Sequence, residues 1–115
     1  MVVIIVGLLV SSLYVALLAA ISLCANKRLR NHDRLPMQWG ANGRPTWSAP
    51  RQVALSFTPG LCAATTLPLA ALFGVIAPPD EAVAVLVPLW LGSAWLAGHL
   101  LHLWLIRRWI DRSGA

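Results

Sequence analysis

Three apolar stretches, residues 1–25, 53–77 and 82–106, contain no Asp, Glu, Lys or Arg. About 20 helical residues suffice to cross the hydrocarbon core of a bilayer. No water is available there to satisfy backbone N–H and C=O groups, so a stretch crossing it has to be a helix or part of a closed barrel. The run lengths favour helices. The expected fold is an all-α membrane protein with three transmembrane helices and a Pro/Gly/Trp-containing loop, residues 31–52, between helices one and two. Charged residues make up only 11% of the 115 residues against an apolar share of 58%. Soluble domains carry about 25% charge, so a water-soluble fold is not expected. The chain reads as a single membrane domain over residues 1–115.

The nine Lys and Arg residues are unevenly placed. Lys27, Arg28, Arg30, Arg34, Arg44 and Arg51 lie between spans one and two, and Arg107, Arg108 and Arg112 follow span three. The turn between spans two and three carries Asp80 and Glu81 instead. Short loops rich in Lys and Arg stay on the cytoplasmic side. The expected arrangement is therefore a multi-pass protein of the cell inner membrane, with its N-terminus outside and its loop and C-terminus cytoplasmic. This topology accounts for the basic charge, so no nucleic-acid partner is expected. Residues 1–25 lack a basic n-region and exceed the usual apolar run of a signal peptide, which favours a retained span.

Cys24 and Cys62 both fall within apolar spans and lack the spacing of a redox or zinc motif. In span one, Ser12, Ala16, Ala20 and Cys24 recur every four residues, and Gly7 and Ser11 form a second small pair. Such stripes let helix backbones approach closely in lipid, although small residues are also common throughout membrane helices. Span two carries Pro59-Gly60 and Pro68, and span three carries Pro88. These are the expected kink positions, since proline removes a helical donor. Thr58, Thr65 and Thr66 are candidates to satisfy the freed carbonyls. Interrupted helices build substrate sites in some transporters, but they are also ordinary membrane features.

Span three places Pro88, Gly92, Trp95, His99, His102 and Ile106 on one face, by alternating steps of four and three. That face is expected to look into the bundle, with Leu89, Leu96, Leu100 and Leu103 mostly toward lipid. His99 and His102 are the intramembrane polar candidates, and ionisable groups in such positions are functional candidates by default. Two readings stand side by side. The pair either binds a metal or relays a proton, or it hydrogen-bonds across helices or sits at the membrane interface. Two ligands do not make a metal site, so no metal and no cofactor is expected. No Ser/His/Asp triad, glycine-rich phosphate loop or paired carboxylate is present, and the chain does not read as an enzyme.

The loop contains Pro36, Gln38, Trp39, Asn42, Gly43, Pro45, Trp47 and Arg51. Asn42-Gly43 is a tight-turn dipeptide, and the two tryptophans are expected to dock the loop on the helix ends or the membrane surface. This segment resembles the short signature of DUF1648, a bacterial membrane domain of unknown function also found at the N-terminus of SdpI-like immunity proteins. Pro36, Trp39, Gly43, Pro45, Trp47 and Arg51 carry the resemblance, and Gln38 stands where the family often has His. The resemblance implies an interaction, regulatory or immunity-like role through a membrane partner, with the lipid bilayer as surroundings and homo-oligomers as an option. Two alternatives are a subunit of a small oligomeric transporter or channel, and a histidine-dependent redox or metal membrane subunit.

Overall fold

The structure is a computed structural model that describes residues 2–42, 44–73, 75, 76, 80 and 82–113. Three helices form a bundle: α1 (Val2–Arg28), α2 (Arg51–Leu72) and α3 (Val83–Ser113). All three are long and apolar enough to cross a membrane. The first and third extend beyond the apolar runs, to Arg28 and Ser113, because nothing in Asn26–Arg28 or Arg107–Arg112 breaks a helix. The second starts at Arg51 and stops at Leu72, earlier than residue 77 expected from hydropathy alone. Of the Pro78–Glu81 turn, only Asp80 lies within the described residues.

The segment between α1 and α2 is not an irregular loop. It contains strands β1 (Arg34–Trp39) and β2 (Pro45–Pro50), paired antiparallel with Arg34 opposite Pro50 and Leu35 opposite Ala49. The fold is thus helical with a small strand pair. Register shifts follow at Met37 and at Thr46. Such bulges bend a ribbon and increase its twist. Three successive residues of β1, Leu35, Pro36 and Met37, are buried. The turn is closed by Gly40 N–H donating to Arg44 O at 2.8 Å and by Arg44 N–H donating to Asn42 Oδ1 at 3.1 Å. Gly43 lies outside the described residues.

The hairpin lies over one end of the bundle. Leu35, Met37 and Ala49 pack on Ala54, Leu55 and Ile106, with Leu29, Trp39, Leu103 and Ile110 around them. Removing a leucine side chain of this kind from water contributes about 1.5–3 kcal/mol. Leu103 belongs to this cluster, so its expected outward position is corrected; Leu96 is half-buried, whereas Leu89 and Leu100 do face outward.

Elsewhere the bundle is inverted relative to a soluble one. Leu13 is 69% exposed and Trp90 72%, while Ser11, Ser22, Thr66 and His99 are buried. The stripe Ser12, Ala16, Ala20 and Cys24 faces outward. The close approach is made by Gly7 instead: a Cβ there would sit 2.5 Å from the Ala84 carbonyl oxygen. Pro88 lacks the N–H that would bond this carbonyl within α3, and the bare Cα of Gly7 lets α1 pack against it.

Candidate functional site

Two constellations bring polar side chains together. The first joins the helix ends under the hairpin. Just beyond the end of α1 the chain turns through residues 29–32, and the Arg51 guanidinium gathers the carbonyls exposed there. Nε donates to Asn26 Oδ1 at 2.7 Å, and Nη1 to the carbonyls of Arg30 at 2.8 Å, His32 at 3.1 Å and, more weakly, Leu29 at 3.4 Å. A cation at this position also suits the negative end of the helix dipole. The same residue's backbone N–H donates to Asp33 O at 2.8 Å, satisfying the first amide of α2. Pro50 precedes it with extended backbone (φ −53°, ψ 143°) and offers no side-chain cap. Arg51 therefore holds the exit of α1 to the entry of α2, and the hairpin is the insert between them.

The other motif residues divide between core and surface. Pro36 is buried, Pro45 half-buried opposite Trp39, and Gln38 exposed opposite Trp47. Trp39 docks edge-on against Trp109 of α3, with ring centroids 6.3 Å apart and planes at 69°. Trp47 does not pack on the helix ends: it is 46% exposed on the outer face of the hairpin, where docking on a membrane surface stays open to it. Across the ribbon, Arg34 donates to the Ser48 hydroxyl at 3.1 Å and to its carbonyl at 2.8 Å.

The second constellation lies inside the bundle. Pro59 leaves the carbonyl of Leu55 without its helical donor. The Ser22 hydroxyl of α1 donates to that oxygen at 2.6 Å. The threonines of α2 do not take this role: Thr65 and Thr66 hydroxyls bond the carbonyls of Leu61 and Cys62. His99 Nε2 lies 2.9 Å from Ser22 Oγ, and His99 is only 1% exposed. The serine has one proton and commits it to Leu55, so His99 Nε2–H donates to Ser22. Nδ1 then carries the free lone pair, buried and without a hydrogen-bond partner among the described residues. This polarity is opposite to that of a nucleophilic serine, which gives its proton to histidine.

Two further bonds cross the bundle: Trp95 Nε1 donates to Thr65 Oγ1 at 2.9 Å, and Tyr14 and Ser93 hydroxyls meet at 2.7 Å. His102 is half-buried one turn beyond His99. Among the described residues no three His, Cys, Asp or Glu side chains converge. Pro59 is buried against α1, whereas Gly60 and Pro68 face outward and Pro88 is buried at the α1 contact; α2 and α3 run unbroken through all three prolines.

Ser22 and Arg51 are the residues that sequence reasoning missed or underused. Pro59 signals an orphan carbonyl at Leu55, but which helix supplies the donor is decided by packing. Replacing Ser22 with Ala leaves both the Leu55 oxygen and the His99 N–H unpaired. The expected cost is about 1–3 kcal/mol, the penalty for stranding buried polar groups. Tyr14→Phe removes a single bond and should cost about 0.6 kcal/mol, the average for an interhelical bond in membranes. Unfolding of both variants in mixed micelles measures the difference, and equal losses would contradict the three-centre arrangement.

Fold and site define a mostly helical chain with three helices of membrane-spanning length and composition, closed at one end by a clamped two-stranded hairpin. No model of a known protein family matches the chain, and neither a curated protein nor a solved structure matches it.

Proposed function

We propose that this chain is a multi-pass protein of a bacterial inner membrane that acts without catalysis, as an interaction, regulatory or immunity-like component of the DUF1648 type engaging a membrane partner. The observation that carries this reading is the hairpin. It is fixed rigidly on the bundle end by Arg51 and Trp39, and it holds Trp47 outward. Exposed tryptophans are favoured anchors at protein interfaces. Several polar side chains of the bundle are meanwhile engaged across helices: Ser22 with His99 and the Leu55 carbonyl, Trp95 with Thr65, Tyr14 with Ser93.

Membrane placement is supported by the apolar exterior, since soluble monomers rarely expose contiguous apolar patches beyond a few hundred Å². The molecule is 52 Å along its longest axis. That exceeds the roughly 30 Å of bilayer hydrocarbon, leaving the hairpin and the end of α3 at the interface. Their Lys and Arg residues favour the cytoplasmic side for this end.

Affinity purification in mild detergent tests the role. One dominant membrane protein should copurify with the wild type and be lost with Trp47→Ala, while Gln38→Ala retains it. Recovery of the chain alone, or equal recovery with Trp47→Ala, counts against the proposal. Orientation is tested separately, with Cys24 and Cys62 replaced by Ala. An impermeant thiol reagent should label Asp80→Cys in intact cells and leave Ala41→Cys unmodified. The opposite pattern would invert the topology.

A further inference from the structure

Beside the hairpin, α1 and α3 diverge and leave an open groove of about 790 Å³. Ligand sites commonly fall at roughly 300–1,000 Å³. Its floor is apolar, formed by Ala20, Ile21 and Cys24 of α1 facing Leu100 of α3. The end of the outward small-residue stripe of α1, Ala20 and Cys24, thus borders the groove. Its mouth, at the hairpin end, carries Arg28 on the last turn of α1 and Arg107 on α3. Both arginines are exposed and lie on different helices. Asp111 also borders the groove, one turn beyond Arg107. Two guanidinium groups against one carboxylate leave the mouth positive. Neither arginine is engaged in an ion pair among the described residues.

From this complementarity, and resting on the membrane placement proposed above, we infer that the α1–α3 groove holds one anionic phospholipid. An acyl chain lies along Ala20, Cys24 and Leu100, and the phosphate sits between Arg28 and Arg107. An apolar slot ending at paired cations matches an amphiphile of that shape, and basic pockets between helices on the cytoplasmic side take acidic headgroups. Guanidinium pairs suit phosphate because their N–H forks bind two oxygens at once.

The test uses the full chain in neutral detergent, titrated with phosphatidylglycerol and followed by thermal stability and native mass spectrometry. One phosphatidylglycerol should be retained per chain, with a raised melting temperature. Phosphatidylcholine should bind more weakly, and inorganic phosphate should have no effect. Arg28→Gln and Arg107→Gln should each weaken binding on the order of fivefold. Arg44→Gln, which removes the same charge from the hairpin turn, should leave it unchanged. Ala20→Phe should block the floor without touching the cations. Equal response to phosphatidylcholine or to phosphate, equal loss with Arg44→Gln, or a dimer occupying the groove in place of lipid would each overturn the inference. Membrane fractionation of the same chain separates this outcome from failure of the membrane reading: a chain found in membranes but retaining no anionic lipid refutes only the lipid site.

Discussion

Arg51→Ala should release the hairpin from the bundle and lower stability by about 3 kcal/mol. The side chain makes four contacts to Asn26 and to the carbonyls of Leu29, Arg30 and His32. Hydrogen bonds from a charged donor are worth roughly 1.5–3 kcal/mol each, discounted here because the group is only partly buried and three of its bonds share one nitrogen. The carbonyls of Arg30 and His32 would regain water, so the loss stays below the full sum. Arg51→Lys keeps the charge but not the planar fork, and its single ammonium cannot reach Asn26 and the carbonyls together. An intermediate loss is expected. Proteolysis within residues 31–50 should accelerate in the order wild type, Lys, Ala, and unfolding in detergent should follow the same order. An Arg51→Ala variant as resistant as the wild type would show that the apolar cluster alone holds the hairpin.

Gly92→Ala should be strongly damaging for a single added methyl. A Cβ at this position would overlap the ring of Tyr14, with Cγ at 2.5 Å and Cε2 at 2.7 Å. The ring then has to leave α3, and the Tyr14–Ser93 hydrogen bond goes with it. Overpacking of this kind costs about 1–3 kcal/mol. Gly60→Ala is the control, because nothing lies within 4 Å of its added Cβ. There the change should be neutral or stabilising by up to about 1 kcal/mol, the helix preference of Ala over Gly. A double-mutant cycle locates the cause. In a Tyr14→Ala background, Gly92→Ala should cost almost nothing, since neighbours in contact are not additive. Gly7→Ala has no such rescue, as its clash is with the Ala84 backbone.

The hairpin shows why part of the fold escaped a reading of the residues. Asn42-Gly43 is a strong hairpin signal, yet Pro36, Pro45 and Pro50 argue against strands. In a two-stranded ribbon each strand has a free edge, so a proline need not interrupt the pairing. Trp39 and Trp47 look equivalent in the chain, and only the bulged register separates the docked ring from the exposed one. Of the two small-residue sets in α1, the Gly7 and Ser11 pair lies on the packed side, whereas the stripe Ser12, Ala16, Ala20 and Cys24 does not. Its four-residue spacing is genuine, but Gly7, Ser11, Leu18 and Ser22 define the buried side.

What the sequence by itself determined is the set of elements that depend on one segment at a time. Apolar runs longer than about 20 residues specify three helices of membrane-spanning length, and the steps of four and three correctly bring Pro88, Gly92, His99 and Ile106 to the buried face of α3. Only the tertiary structure decided the partners. Ser22 meets the carbonyl that Pro59 frees, His99 donates to Ser22, and Arg51 closes the end of α1. These pairings join residues 19 to 77 positions apart in the chain. Helical periodicity fixes which face a side chain occupies but not which neighbouring helix meets it, nor at what height. That choice comes from packing three helices against one another, which brings the Ser22 hydroxyl to the carbonyl that Pro59 frees and His99 to Ser22.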